Sequence, residues 1–304
     1  MPTLVIPHIE LAGSFDESLN PISIIVGLLS IIGSLFNITV TIYLQKSKTI
    51  IGKMVIILAV YDILNILPLV LTSIDLTTTQ FTCEIAGSWI SYFGFASSFF
   101  FTTCFAHALH QTLKKNSIES IRKYFKGYIA LSILTGLIVG SFAVALRLKE
   151  YEVFPDGNKM CQTHFPSGFH LTILLVYIIP GIVNIIGCLV YYILIIRILK
   201  EMSEKLHLGL LIYPVILVVC VSPAVIRRFF YLVGKDINSP FYIQASIAMF
   251  RAQGFLNALT YGLSREILDA LKKYCCSGRN RSDSSSSLIE ESETQLERYK
   301  AYTL

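Results

Sequence analysis

Charge is the first thing this sequence has little of. Asp, Glu, Lys and Arg make up 15% of its 304 residues, against roughly a quarter in soluble domains. Hydrophobic residues make up 54%, and the mean hydropathy is +0.63. So few charges cannot cover a water-facing surface, and lipid is the main solvent expected. Carboxylates are rarer still inside the apolar stretches. Asp62 stands in mid-stretch with no second Asp beside it to form a catalytic dyad, and neither HExxH nor Gly-x-Ser-x-Gly occurs. The six histidines are dispersed at 8, 107, 110, 164, 170 and 207, a spacing that supplies no metal ligand set. Neither an enzyme, a metal centre nor a resident cofactor is expected. Lysine is missing from residues 240–263, which removes the attachment point of a retinal Schiff base. The N-terminus, with His8, Glu10, Asp16 and Glu17, lacks a basic segment followed by an apolar core and cleavage site, so no cleaved signal peptide is expected. The net charge of +5 does not mark a binder of nucleic acid polymer, because the cations fall in short clusters between apolar stretches.

Seven apolar stretches are present, at 21–45, 54–74, 85–109, 127–146, 170–196, 206–233 and 240–263, near the roughly 20 residues a helix needs to cross a bilayer. Backbone polar groups must be paired in hydrocarbon, and the ten-residue alternation of a membrane barrel is absent. The pattern predicts an all-α membrane protein, a seven-transmembrane helix bundle. Lys46, Lys48 and Lys53, then Lys114, Lys115, Arg122, Lys123 and Lys126, then Arg197, Lys200 and Lys205 fall on one side. Arg265, Lys272, Lys273, Arg279 and Arg281 follow the last stretch on that same side, while the other side holds only Arg147, Lys149, Lys159 and Lys235. The positive-inside rule then puts the N-terminus outside and the C-terminus inside, in a multi-pass protein expected at the plasma membrane. The expected parts are an extracellular N-terminus 1–20, a membrane domain 21–263, an amphipathic juxtamembrane helix 264–276 and a disordered cytoplasmic tail 277–304. No internal repeat divides the chain into matching halves. The tail stretch 282-SDSSSSLIEESETQ-295 has too few apolar residues to offset the entropy of ordering. The acceptor triplet 280-NRS-282 is expected to stay unglycosylated on the cytoplasmic side.

Individual residues then acquire meaning from depth. Cys83 and Cys161 lie on the outer, oxidising side, where a bridge between them would tie the second outer loop to the bundle mouth. Cys104, Cys188 and Cys220 are small apolar packers within spans, and Cys275 and Cys276 form a palmitoylation site at the inner surface. Asp62 is a buried carboxylate able to take a proton or a sodium ion, with Asn37, Asn65 and Asn257 as candidate partners. Arg227 and Arg228 lie toward the outer end of the sixth span, Arg251 about midway along the seventh, and Lys159 in the second outer loop. Guanidinium forks match phosphate or carboxylate oxygens, so these four are the candidate ligand-binding residues for a small anion. Pro68, Pro180, Pro214 and Pro223 are expected to interrupt helix ladders, twice in the sixth span.

Three segments, 102-TTCFAHALHQT-112, 213-YPVILVV-219 with Arg228, and 253-QGFLNALTYG-262, resemble the cyclic-AMP receptor-like family of G-protein-coupled receptors. That group holds slime-mould chemoattractant receptors and a related plant receptor-like protein. The wider receptor plan is matched by Asn37 in GSLFN, Asp62 in LAVYD, Cys83 with Cys161, Pro180, and Asn257 with Tyr261 in NALTY. The acidic-Arg-aromatic triplet of rhodopsin-like receptors is replaced by His107, Ala108, Leu109 and His110, and the sixth-span Trp is absent. His110 becomes the candidate activation contact. The resemblance implies an extracellular ligand, such as a cyclic nucleotide, that shifts the bundle to a form engaging a heterotrimeric G protein. Differential affinity for two states is what this requires. The basic inner loops at 110–126 and 197–205 are the surface for that partner. Phosphorylation of Ser284, Ser285, Ser286 and Ser287 by a kinase would create a negative patch for an arrestin-like regulator. The alternative is a seven-helix transporter or channel for a small solute, which calls for a path of mid-membrane ionisable groups.

Overall fold

The structure, a computed structural model, describes residues 21–73, 79–115, 119–146, 149–153, 159–163, 178–202, 208–232 and 239–262. The terminal segments, including Cys275, Cys276, Asn280 and Ser284 to Ser287, lie outside the described residues. So do the side chains of Lys159, Cys161, Pro214, Arg228 and Tyr261.

Positions 23, 27, 30, 34, 37 and 41 recur every three or four residues, so they share one face of a helix. In α1 (Pro21–Tyr43) that face holds Ser23, Gly27, Ser30, Ser34, Asn37 and Thr41, all buried. Ile22, Ile25, Leu29, Ile32 and Phe36 are exposed. This inverts the soluble pattern: small and polar residues meet neighbouring helices and large apolar ones face outward, as a lipid solvent demands. α2 (Ile50–Ser73) follows a short 3-10 turn, Lys46–Lys48, entered through Gln45 at φ 53. It starts ahead of the expected position 54 because Thr49 Oγ1 accepts the Gly52 N–H at 3.0 Å and caps the first turn.

The helical run 80–115, called α3, passes from Gln80–Thr82 through a π-helical stretch, Cys83–Ile90, into Ser91–Lys115. It packs against α2, against α4 (Glu119–Ala145), against α5 (Ile179–Met202) and against α6 (Leu208–Leu232). Phe99, Phe101 and Phe105 are fully buried along it, and Ser91, Ser97, Ser98 and Thr102 are buried with them. A helix enclosed by other helices can carry such hydroxyls because protein, not lipid, surrounds it. Two apolar clusters flank it, one around Leu58, Phe101, Phe105 and Ile195, the other around Phe95, Phe99, Leu217 and Val221.

Two helices, Pro240–Arg251 and Gln253–Gly262, meet at Ala252 and together form α7. The Ala252 N–H is shared between the Ala248 and Met249 carbonyls at 2.9 and 3.2 Å. Here is a helix break without a proline, whereas α2 runs on through Pro68 and α6 through Pro214 and Pro223. Among the described residues, four helices are long and apolar enough to cross a membrane: Pro21–Tyr43, Ile50–Leu71, Ile121–Ala145 and Ile179–Ile198. The chain is thus a helical membrane protein, and among the described residues the exception is a hairpin that the sequence reading missed. β1 (Lys149–Val153) pairs antiparallel with β2 (Lys159–Thr163), with Tyr151 opposite Cys161. β1 packs on the π-helical stretch of α3 and β2 on α2.

Candidate functional site

The site begins with a glycine. A side chain at Gly94 would collide with the α2 backbone at Leu64 and Asn65, so α2 and α3 touch main chain to main chain there. Ser91 Oγ secures this crossing by donating to the Asn65 carbonyl at 3.1 Å. One turn further along each helix, Ser98 and Asp62 therefore face one another at hydrogen-bond range.

Asp62 is 4% exposed. Its Oδ1 accepts from Ser98 Oγ at 2.7 Å, and its Oδ2 accepts from Asn257 Nδ2 at 3.0 Å. Gln253 Nε2 in turn donates to Ser98 Oγ at 3.2 Å. The serine hydroxyl thus passes on what it receives: its proton goes to the carboxylate and a lone pair accepts from the glutamine amide. Donors from α3 and α7 converge on one acidic side chain of α2. An unpaired carboxylate at such depth would be costly, and these two donors lower that cost while binding three helices to one group. Gln253 and Asn257 both follow the break at Ala252, on the same short helix. That helix is pressed close to α1, since a Cβ on Gly254 would meet Ser30 Oγ at 2.5 Å and Ser34 Oγ at 2.7 Å.

Of the partners expected for Asp62, Asn257 is brought to it. Asn65 contributes its backbone carbonyl to Ser91 instead. Asn37 is buried, but its Oδ1 has no hydrogen-bond partner among the described residues. Ser98 and Gln253 were missed by sequence reasoning. Their signal was weak: a serine and a glutamine within apolar stretches, meaningful only once helix register is known.

A second cluster lies at the far end of α3. His107 Nδ1 is 2.6 Å from Tyr128 OH on α4, and His107 Nε2 is 3.1 Å from Gln111 Nε2. Tyr191 of α5 packs its ring against both histidines, with centroids 5.1 Å from His107 and 5.9 Å from His110. His110, the expected activation contact, is buried, and its Nδ1 has no partner among the described residues. The hydrogen bonds at this end are made by His107.

Arg251 is buried at 6% exposure and ends the first half of α7, one residue before the break. Its neighbour Phe250 packs on Phe95 and Phe99 of α3. Arg227 is half-buried near the end of α6. Cys83 is disulfide-bonded, and the strand bearing Cys161 is paired with the strand that covers the helix bearing Cys83. Cys104, Cys188 and Cys220 are free and buried, in keeping with packing roles.

No family model matches the chain. Over 174 residues it is 29% identical to cyclic AMP receptor-like protein G of Dictyostelium discoideum, a match that takes in 53% of this chain and 31% of that protein. The matched part is thus about a third of that relative's length. This membrane protein therefore carries a receptor-like similarity over about half of its own length.

Proposed function

We propose that the chain is a seven-helix receptor of the plasma membrane that senses an extracellular ligand and activates a heterotrimeric G protein. The observation that carries this reading is the Asp62, Ser98, Gln253 and Asn257 cluster. It joins three helices through one buried carboxylate and depends on the half of α7 that lies beyond a break. Such a junction has a second arrangement within reach, because a small change at Ala252 moves both Gln253 and Asn257 relative to Asp62. A ligand held by residues on the other side of the break would bias that equilibrium if it binds the two arrangements unequally. Arg251 sits directly before the break, and with Arg227, Arg228 and Lys159 it favours a small anion. The similarity to a cyclic AMP receptor-like protein supports a cyclic nucleotide as the first ligand to try. The bonded Cys83 supports a bridge with Cys161 that holds the outer hairpin over the mouth of the bundle.

Guanine-nucleotide exchange on heterotrimeric G protein, measured in membranes holding this protein with and without cyclic nucleotides, tests the reading. Exchange is expected to rise with ligand in the wild type and to lose its ligand response in Arg228→Ala and Arg251→Ala. Exchange no higher than in empty membranes under every condition would reject receptor function and favour the transporter.

A further inference from the structure

α4 begins at Glu119, well before the apolar stretch expected from 127. Its added turns are amphipathic in an unusual sense. The buried side follows Ile121, Tyr128 and Ser132, which face α3 and α2. On the outer side Tyr124, Gly127, Leu131, Leu134 and Ile138 form one row at spacings of three and four, and all are exposed. Leu131, Leu134 and Ile138 are 46%, 54% and 48% exposed, and in a membrane protein such leucines face acyl chains. Arg122, Lys123 and Lys126 are exposed as well. Lys126 lies one turn from Ala130, two from Ile133 and three from Leu137, all of them exposed, so the cations continue the outward-facing surface rather than pointing into the bundle.

Within α4 the acid at favourable spacing is Glu119, four residues before Lys123. Arg122 and Lys126 are like charges four residues apart, a mutually repulsive spacing. Among the described residues, none of the three pairs with a carboxylate. No side chain fills the outward row at Gly127, where a Cβ would meet nothing within 4 Å. A notch therefore lies between Lys123 and Tyr124 on one side and Leu131 on the other. We infer that Arg122, Lys123 and Lys126 form a site for the phosphate headgroup of an anionic phospholipid, whose acyl chains lie along Leu131 and Leu134. The basic surface of α4 is then a lipid site, and it does not depend on G-protein coupling.

The full chain in nanodiscs of phosphatidylcholine, mixed with either phosphatidylserine or phosphatidylinositol bisphosphate, provides the test. Lipids retained on release are counted by native mass spectrometry. The wild type is expected to retain anionic lipid over phosphatidylcholine. With about 1 kcal/mol per cation near an anionic surface, each of Arg122→Gln, Lys123→Gln and Lys126→Gln lowers retention about 5-fold, and the triple variant lowers it on the order of 100-fold. Arg122→Lys keeps it, as does joint neutralisation of Lys114 and Lys115 on α3. Unfolding in phosphatidylcholine alone checks that the variants fold, and if the triple variant does not, the single ones are decisive. Undiminished retention in the α4 variants, or equal loss from the α3 pair, overturns the site. So does unchanged retention accompanied by lost nucleotide exchange, which would assign the surface to a protein partner.

Discussion

Replacing Ser98 by Ala removes one oxygen and, with it, two hydrogen bonds of the buried cluster. The donor to Asp62 Oδ1 at 2.7 Å disappears, and Gln253 Nε2 loses its acceptor at 3.2 Å. Hydrogen bonds between membrane helices average about 0.6 kcal/mol and reach about 1.7 kcal/mol, because the unfolded chain in lipid also finds partners. The bond to a carboxylate belongs at the upper end of that range, and an amide left unsatisfied adds to the loss. Ser98→Ala is therefore expected to destabilise the protein by about 1–2 kcal/mol, from reversible unfolding in mixed micelles. The sharper quantity is the coupling. Asp62→Asn leaves an oxygen acceptor for Ser98 while removing the charge, so the double variant Ser98→Ala with Asp62→Asn should lose about 1 kcal/mol less than the two single losses added together. If Ser98→Ala changed stability by less than roughly 0.3 kcal/mol, or if it added to Asp62→Asn without coupling, the hydrogen-bonded cluster would not exist in the form described.

Gly94→Ala places a Cβ on the α2 backbone, so the helices must separate, and a loss of about 1–3 kcal/mol with weakened coupling between Asp62 and Ser98 is expected from the same unfolding measurement. Tyr128→Phe removes the 2.6 Å contact with His107 but keeps the ring, so a smaller loss of about 1 kcal/mol should appear, whereas His110→Ala should leave the Tyr128 contribution intact in a double-variant comparison. The thiols of Cys104, Cys188 and Cys220 are buried and should resist a membrane-permeant maleimide until the bundle unfolds; rapid labelling of the folded protein, read by intact mass, would contradict the packing.

Much of this bundle was legible because lipid imposes a simple rule on sequence: long apolar stretches, broken by short basic clusters. The boundaries were less so. Position 127 looked like the start of a span because Arg122, Lys123 and Lys126 interrupt the apolar pattern, yet charged residues propagate a helix well and α4 simply includes them. The hairpin escaped notice although Asp156 and Gly157 stand between two short alternating segments, a known turn signal. Within the site, Asp62 was conspicuous because a carboxylate in hydrocarbon is rare, and Asn257 was recognisable beside it. Ser98 and Gln253 were not, since serine and glutamine are tolerated almost anywhere among packed helices, and their alignment depends on the close crossing at Gly94. Proline drew attention as the source of helix breaks, but the break falls at Ala252, where no residue type announces it. His107 and His110 stand one turn apart on α3, and only the position of Tyr128 on α4 gives His107 its hydrogen bond.

Nucleotide exchange by a purified heterotrimer, compared between wild type and Asp62→Asn at matched surface expression, tests the central claim most directly. The variant, with Asn257 and Ser98 no longer drawn to a charge, is expected to show an altered ratio of ligand-stimulated to basal exchange while remaining folded in the membrane. An identical ratio in the two proteins would mean that the buried cluster is mere packing, and that the junction of α2, α3 and α7 does not govern signalling.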